Sequence, residues 1–335
     1  MAKSYKTLLE TRTRRVRLYK SRQKGSGRRM GNKHLQRAMK NKNDEFYTLY
    51  EDVREGLEPM MKLLEEKKVL LPCDDETSRF YRFFQYQMQS GKYKPKQVWA
   101  THYTHSDQCS YAIPAMGDYL CRERSMLLNG NGDFFSEEIQ QMVDNSDVII
   151  TNPPFSREAE MIKLLLDKGK DFILVGTETL LTHRLLFPFV KEGRIRAYGS
   201  IKKFAKPFGG YQTFGNCCWI TSLTPPCATV KFMPTKKYED VKDLMKPYEN
   251  YAAINVDKLV NVPMDYNGIM GVPMTYLKKR NDDIFRIIGL GSAHSVASGL
   301  QYEVNYTRSE IDHGGNPVVD GHLTYVRIFI KNITI

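Results

Sequence analysis

Residues 147–155 read DVIITNPPF. The apolar, mostly β-branched run 148–151 predicts a buried strand, because such side chains pack well in a sheet that is covered on both faces. Asn152 follows this strand directly, and Pro153 and Pro154 then hold the backbone in a rigid, extended form. In an open α/β sheet, ligands bind outside the carboxyl ends of the strands. The stretch therefore predicts a functional site at Asn152 as well as a strand.

An asparagine followed by two prolines at this position suits the binding of an aromatic amine. The lone pair of such an amine is delocalised into the ring, which makes the nitrogen a poor nucleophile. The side-chain amide oxygen of Asn152 and a backbone carbonyl can each accept one of its hydrogens, which localises the lone pair and directs it at an electrophile. Phe155 offers a flat face on which a nucleic-acid base can stack. A strand, a proline turn and a helix without function is the alternative, and the apolar strand and Phe155 disfavour it.

Strands and helices alternate around this motif. The predicted strands are residues 69–72, 97–103, 147–151, 171–176, 195–199 and 217–223, with an antiparallel excursion at 117–129. The predicted helices are residues 49–67, 136–143 capped by Ser136, 156–166 capped by Ser156, 183–192, and a helix from Phe80 for which Asp74, Asp75, Thr77 and Ser78 offer capping side chains. This alternation predicts an α/β fold with an open, mostly parallel sheet and helices on both faces. From about Pro225 it stops, which predicts a less regular C-terminal region.

The excess positive charge lies at the N-terminus. The formal net charge is +12, and residues 1–43 hold 15 Lys or Arg against a single acid, Glu10. Such a segment suits a polyanion, because each phosphate contact releases condensed counterions. We predict three parts: a mobile nucleic-acid-binding arm (1–43), a catalytic domain (44–224) and a C-terminal region that faces the substrate (225–335). A solvated or targeting tail is the alternative for the arm.

The composition disfavours several classes of protein. No apolar run approaches the ~20 residues that cross a bilayer, and the N-terminus does not resemble a signal peptide, so we expect a cytoplasmic protein without a membrane partner. The six cysteines form no CxxC pair and no metal-like spacing with histidine, which favours reduced thiols. His102 and His105 are three residues apart but have no third ligand, so no metal is expected.

The residues Asn152-Pro153-Pro154-Phe155 resemble the catalytic motif of the amino-methyltransferases that use S-adenosylmethionine. Other segments follow in the order of the gamma-type adenine enzymes: DEFYT at 44–48 before the first strand, the first cofactor loop at 69–75, and GDF at 132–134. The chain is most similar to the EcoRI-type adenine-specific DNA methyltransferases. KNDEFYT at 42–48, Cys-Asp-Asp at 73–75 and GVPMT at 271–275 carry this similarity, which covers about residues 40–290.

The resemblance implies a Rossmann-like fold and transfer of a methyl group from S-adenosylmethionine to the N6 amine of a flipped-out adenine in double-stranded DNA, by direct displacement. It assigns the target side to the motif: Asn152 and the Pro153 carbonyl would bind the amine, Pro154 would keep the turn rigid, and Phe155 would stack on the base. It assigns the cofactor side to seven residues: Phe46, Tyr47 and Thr48 close over the cofactor, Cys73 and Asp74 lie beneath its methionine end, Asp133 bonds its adenine, and Phe134 packs near that ring. We also predict backbone contacts to DNA from Arg28, Arg29, Lys33, Lys278 and Lys279.

The chain departs from the family pattern in two places. Its first loop, DDETS at 74–78, contains no glycine, and the second strand ends at residues 100–103 without an acid to bind the cofactor ribose. Asp74 or Asp75 could replace that acid, and the nearest one that follows is Asp107. Methylation of RNA or of a protein glutamine, and a DNA-binding protein without turnover, are the alternative functions. A partner restriction endonuclease is compatible with this family, but no residue identifies one.

Overall fold

The computed structural model describes residues 46–104, 110–116, 123–206, 209–226 and 231–335. Within these ranges nine strands form one large sheet: β1 (Tyr47–Thr48), β2 (Lys68–Pro72), β3 (Gln97–Thr101), β4 (Tyr111–Pro114), β5 (Met126–Leu127), β6 (Val148–Thr151), β7 (Asp171–Thr177), β8 (Arg196–Ala205) and β9 (Tyr211–Thr221). The α-helices are α1 (Tyr50–Leu57), α2 (Arg79–Ser90), α3 (Glu137–Asp144), α4 (Glu158–Asp167), α5 (Phe187–Lys191) and α6 (Tyr238–Val241). Short 3₁₀ segments are Glu58–Leu64, Glu178–Thr182, Lys242–Leu244, Leu259–Asn261 and Met274–Lys278.

The large sheet is mixed. Its strand order is β1-β8-β9-β7-β6-β2-β3-β4-β5, and only the central strands β7, β6, β2 and β3 pair in parallel. The α/β class is confirmed, but the prediction of a mostly parallel sheet is wrong. β8 and β9 form an antiparallel hairpin, and β4 and β5 pair antiparallel beside β3. Antiparallel neighbours need only a short turn, whereas parallel neighbours need a crossover.

Helices cover both faces of the central strands. Along β2, Val69 and Leu71 belong to one buried cluster and Leu70 to the other, as the two-residue period of a strand requires. The first cluster includes side chains of α1 and α2, and the second includes side chains of α3, α4 and α5. The near-continuous apolar composition of the predicted strands is explained by this double cover.

Two helix predictions need correction. The predicted helix 49–67 ends as an α-helix at Leu57 and continues as a 3₁₀ segment, because Pro59 lacks the amide hydrogen and clashes with the preceding turn. Ser136 caps α3 as predicted, through a bond from the amide of Ile139. Of the four candidates for α2, Ser78 is the cap and accepts from the amide of Tyr81. The N-cap of α4 is Arg157 and not Ser156, since the chain makes a further turn after the prolines.

The C-terminal region contains a second sheet. Its five strands are β10 (Lys246–Pro247), β11 (Ile254–Asn255), β12 (Ile269–Pro273), β13 (Phe285–Gly291) and β16 (Arg327–Asn332), and a small hairpin consists of β14 (Val318–Val319) and β15 (His322–Leu323). Phe285 and Ile328 of this sheet share one buried cluster with Phe187 of α5 and Ile149 of β6. The two sheets therefore pack on a common core, and the predicted boundaries after residues 43 and 224 stay predictions.

Part of the predicted organisation falls outside the described residues. The basic arm 1–43, with Arg28, Arg29 and Lys33, lies there, and so does part of the antiparallel excursion 117–129. In the part of the chain that the structure describes, no helix is long and apolar enough to cross a membrane.

Candidate active site

Three loops with predicted functions meet at one edge of the large sheet. β2, β3 and β6 run parallel, so their carboxyl ends lie side by side. Cys73 and Asp74 follow β2, His102 follows β3, and Asn152 follows β6. The Thr151 hydroxyl lies 2.9 Å from the Pro72 carbonyl oxygen, to which it donates a hydrogen bond, and 3.4 Å from a carboxylate oxygen of Asp74. The predicted cofactor loop and the predicted target loop are thus adjacent.

The amide of Asn152 is held in one orientation. Its Nδ2 group donates a hydrogen bond to the carbonyl oxygen of Phe46, and the reverse assignment would bring two acceptor oxygens together. The Oδ1 atom is buried and has no hydrogen-bond partner among the described residues. The carbonyl of Pro154 accepts from the Arg157 amide at 2.9 Å, whereas no described donor reaches the Pro153 carbonyl. Two consecutive residues after β6 thus each carry an acceptor oxygen without a described donor.

Phe155 lies in an aromatic cluster. Its side chain is 4% exposed, and its ring centroid lies 5.9 Å from that of Phe46, 5.6 Å from Phe214 and 6.2 Å from Phe204. Phe46 is stacked on it with an interplanar angle of 25°, while the other two rings meet it edge-on. The face that was predicted for base stacking is therefore covered by Phe46, and stacking on Phe155 stays a prediction that requires Phe46 to move.

The loop after β2 makes a sharp turn without glycine. Cys73 adopts φ of +60°, a left-handed conformation that costs a non-glycine residue of order 1–3 kcal/mol. Its amide donates to the Thr101 hydroxyl at 3.3 Å. The loop that contains no glycine thus begins with a left-handed turn at Cys73.

Asp74 has a perturbed carboxyl group. The residue keeps some accessible surface, but the carboxyl itself is enclosed by the loop. Burial and, to a smaller extent, the neighbouring charge of Asp75 raise the pKa of Asp74 to about 7, against the hydrogen bonds from Ser78 and Thr151, which lower it. A carboxyl group with such a pKa at a sheet edge is typical of a functional site.

The first described residues are placed beside the target loop. Tyr47 and Thr48 form β1 and pair with Ala205 and Phe204 of β8. Tyr47 is 53% exposed and Thr48 is buried, with no described partner for its hydroxyl oxygen. Because neighbouring side chains of a strand point to opposite faces, Tyr47 and Thr48 face different sides, and a common role over the cofactor stays a prediction.

The loop that carries Asp133 packs against the end of β3. A Cβ atom on Gly132 would lie 2.0 Å from the His102 carbonyl oxygen, and Gly132 has φ of +80°, so both the close approach and the turn require glycine. Phe134 is 3% exposed and belongs to the core, whereas Phe135 is partly exposed beside Asp133. Phe135 is therefore better placed than Phe134 to contact a ligand at Asp133, which the three-residue motif could not indicate.

Arg157 is a site residue that sequence reasoning missed. Its guanidinium lies 3.7 Å from the centroid of the Phe135 ring and 3.5 Å from a carboxylate oxygen of Asp133. Its own amide bonds Pro154, so this residue links the loop of the NPPF motif to the loop of the predicted cofactor adenine. Its position two residues after Phe155 could have marked Arg157 as a candidate. Its partner Asp133 is distant in the sequence, so the contact itself had no sequence signal.

The second departure from the family pattern is the lack of an acid at the end of the second predicted strand, which is β3. His102 stacks on Tyr111 with ring centroids 4.9 Å apart, and the Tyr111 hydroxyl donates to Glu76 at 2.8 Å. Glu76 is thus a further acid at this edge, beside the predicted alternatives Asp74 and Asp75. Asp107 lies outside the described residues.

The predicted DNA contacts of the C-terminal region differ from each other. Lys278 forms an ion pair with Glu178 and donates to the Gly199 carbonyl at 3.2 Å, while Lys279 is exposed.

Among the described residues no group of three His, Cys, Asp or Glu is placed to hold a metal ion. Cys217 and Cys218 are buried free thiols, and burial raises the pKa of each.

Comparison with known sequences identifies the family of the chain. The chain matches the family described as adenine-specific methyltransferase EcoRI over residues 34–209 and 200–333. The chain belongs to this family. The EcoRI family match thus includes every described residue of the site and nearly all of the C-terminal region, which extends beyond the similarity seen in the motifs.

Three curated proteins align with most of the chain. Type II methyltransferase M.EcoRI from Escherichia coli is 27% identical over 334 residues, which covers 90% of this chain and 97% of that protein. Type II methyltransferase M.MpnI from Mycoplasma pneumoniae is 29% identical, with 89% and 98% covered, and M.MgeORF184P from Mycoplasma genitalium is 26% identical, with the same coverage. No solved structure matches the chain.

Proposed function

We propose that the protein transfers a methyl group to the N6 amine of adenine in double-stranded DNA. One observation carries this proposal: the buried Oδ1 of Asn152, at the carboxyl end of β6, has no described hydrogen-bond donor, and the Asn152 amide cannot rotate without losing Phe46. The carbonyl of the next residue, Pro153, is taken as the second acceptor. An amine with two hydrogens fits two fixed acceptors. Membership of an adenine-specific methyltransferase family and relatives named Type II methyltransferases support the reaction and DNA as its substrate.

The residues present fit S-adenosylmethionine as the cofactor. The enclosed carboxyl of Asp74 suits a ligand with positive charge, the buried hydroxyl of Thr48 has no described partner, and the Asp133 carboxylate can accept from an exocyclic amine. When bound, the cofactor supplies an electrophilic methyl group. We assign its adenine to Asp133 and Phe135 and its charged end to Asp74, with Phe46, Thr48 and Cys73 around it.

The chain's own groups position the amine and exclude water. A base in a duplex must leave the stack before it reaches a pocket. Asn152 Oδ1 and the Pro153 carbonyl then accept its two amine hydrogens and continue to do so while positive charge develops on the nitrogen, an electrostatic effect that is largest in a preorganised site. Pro153 and Pro154 keep the acceptors fixed. No general base is required, because the methylated amine is acidic enough to lose its proton afterwards.

The remaining parts are proposed to hold the substrate. The arm 1–43 would bind the DNA backbone through Arg28, Arg29 and Lys33, and region 225–335 would face the duplex, with Lys279 accessible for a phosphate. Lys278 is engaged with Glu178, so its role in DNA binding requires that ion pair to open.

The experiment is a labelling assay with a matched variant. Radiolabelled S-adenosylmethionine is incubated with duplex DNA, RNA and a protein extract, and labelled DNA is digested to nucleosides. We expect label in N6-methyldeoxyadenosine. Asn152→Ala should lower the rate by roughly 10²–10³-fold, as for the loss of one preorganised hydrogen-bonding group. Asn145→Ala, which removes an exposed asparagine after α3, is the control and should keep the rate.

The possible results separate the alternatives. Label only in RNA or only in protein would refute DNA as substrate, and label in a methylated cytosine would refute adenine. No label in any substrate would refute the enzymatic function. If Asn152→Ala retained the rate, the acceptor role of that residue would be wrong although the reaction was right.

A further inference from the structure

The hairpin of β8 and β9 carries an irregularity beside the site. Its register shifts between Tyr198 and Ile201 and again between Ile201 and Lys203. Ile201 and Phe204 are buried, whereas Lys202 and Lys203 between them are both exposed. A regular strand would turn neighbouring side chains to opposite faces, and a bulge re-aims one of them. The bulge therefore presents two adjacent lysines to solvent.

This surface has no compensating negative charge. Residues 193–238 contain eight Lys or Arg and no Asp or Glu. No carboxylate of the described chain lies within ion-pair distance of Lys202, Lys203 or Lys206. Other exposed lysines do have carboxylate partners, as Lys163 has Asp167. Unpaired positive charge on an exposed strand attracts a polyanion.

An aromatic side chain belongs to the same surface. Tyr211 is 57% exposed, and the Lys203 ammonium lies 3.8 Å from its ring centroid. A lysine over an aromatic ring is held in place without a carboxylate partner. The tyrosine hydroxyl is a common donor to phosphate and sugar oxygens. Lys203 and Tyr211 thus form an ordered pair that keeps its charge available.

The buried side of the hairpin belongs to the candidate active site. Phe204 contacts Phe155 with ring centroids 6.2 Å apart, and it pairs with Thr48 of β1. Lys203 therefore precedes a residue that touches the NPPF motif. The hairpin therefore borders the loop at which the target base is proposed to bind.

We propose that the exposed face of the β8–β9 hairpin, formed by Lys202, Lys203, Lys206 and Tyr211, binds the phosphate backbone of the duplex next to the target base. The proposal rests on the proposed function, since it takes DNA as the substrate. The lysines act as point charges that replace condensed counterions, and they carry no sequence information. The hairpin thus fixes the position of the strand whose base enters the site.

The test compares two charge-matched double variants. Lys202→Ala/Lys203→Ala removes two charges from the hairpin. The control, Lys94→Ala/Lys96→Ala, removes two exposed lysines that precede β3, at the amino ends of the parallel strands. Binding of the full-length proteins to a short fluorescent duplex of random sequence is measured by anisotropy from ~50 to ~200 mM salt. Binding of S-adenosylhomocysteine reports that the cofactor side is intact.

We expect the hairpin variant to lower the slope of log affinity against log salt by about 1.8, or ~0.9 per lost phosphate contact. The control variant and Lys202→Arg/Lys203→Arg should keep the wild-type slope. An unchanged slope in the hairpin variant, or an equal loss in the control, would overturn the proposal while methylation by the wild type still stood. If the wild type methylated no DNA, the proposed function would be refuted, and the proposed role of the hairpin surface would be refuted with it.

Discussion

The carboxyl group of Asp74 lies beside the Thr151 hydroxyl, one residue before Asn152, and its pKa of about 7 places its titration near neutral pH. S-adenosylmethionine is a cation at its sulfur and its amine, and a nearby cation favours the ionised carboxylate. Below its pKa, Asp74 has to release a proton when the cofactor binds. We therefore expect the affinity for the cofactor to rise as the pH rises through 7.

The size of this effect follows from the ionised fraction of Asp74. With a pKa of about 7, that fraction is ~0.09 near pH 6 and ~0.9 near pH 8, and the apparent dissociation constant varies inversely with the competent fraction. The affinity should thus increase about tenfold across this interval. Near pH 6, binding should release about 0.9 proton per site, which titration calorimetry in two buffers of different ionisation enthalpy measures directly.

Two variants isolate the group. Asp74→Asn cannot ionise, so its affinity should be no higher than that of the wild type near pH 6 and should lack the rise. Asp75→Asn should keep the rise with a lower midpoint, because the charge of Asp75 is one cause of the raised pKa of Asp74. The amino group of the cofactor itself titrates at about pH 8. This titration is the same for the wild type and both variants, so it does not produce a difference between them. A wild-type affinity that does not change with pH, or an equal rise in Asp74→Asn, would refute the reasoning.

Three further outcomes are expected. Gly56→Ala should lower the free energy of unfolding by about 2 kcal/mol, because a Cβ would lie 2.1 Å from the buried indole of Trp219 and the cost of overpacking exceeds the gain in helix propensity. Gly215→Ala is the control, since a Cβ there would meet no atom within 4 Å. Equal urea midpoints for the two variants would contradict the clash. Arg157→Ala should change the free energy of unfolding by less than ~1 kcal/mol. It should lower the methylation rate at least roughly tenfold, because the link between the NPPF loop and the Asp133 loop is lost. An unchanged initial rate would show that Arg157 does not position these loops. Deletion of residues 1–40 should weaken DNA binding and flatten its salt dependence, and an unaltered slope would assign the arm another task.

Local sequence signals predicted the elements that carry the site. The strand before Asn152 was readable because its side chains are almost all apolar. The cap of α3 was readable because a serine bonds an amide three residues later, whereas the cap of α2 was narrowed only to four residues that include Ser78. These features depend on neighbours within one turn or one strand. The position of Asn152 at a sheet edge followed from them.

Long-range packing decided the features that were not predicted. Apolar alternation does not encode the direction in which β8 and β9 pair, so the mixed sheet was not foreseen. Phe155 reads equally well as a stacking face or as core, and Phe204 and Phe214, far along the chain, place it in the core. The left-handed turn at Cys73 had no signal because glycine is the residue that normally marks it.

The hydrogen bond from Asn152 to Phe46 joins residues 106 positions apart, and the strand that carries Phe204 is made later still. On the ribosome the carbonyl partner emerges first, the NPPF motif second and the hairpin last. Domains fold as their segments become available. A nascent chain that ends before the hairpin therefore carries the motif without the pairing that holds β1 and its neighbour Phe46 in place. The orientation of the Asn152 amide thus depends on a segment that is synthesised well after the motif itself, since β8 ends at Ala205.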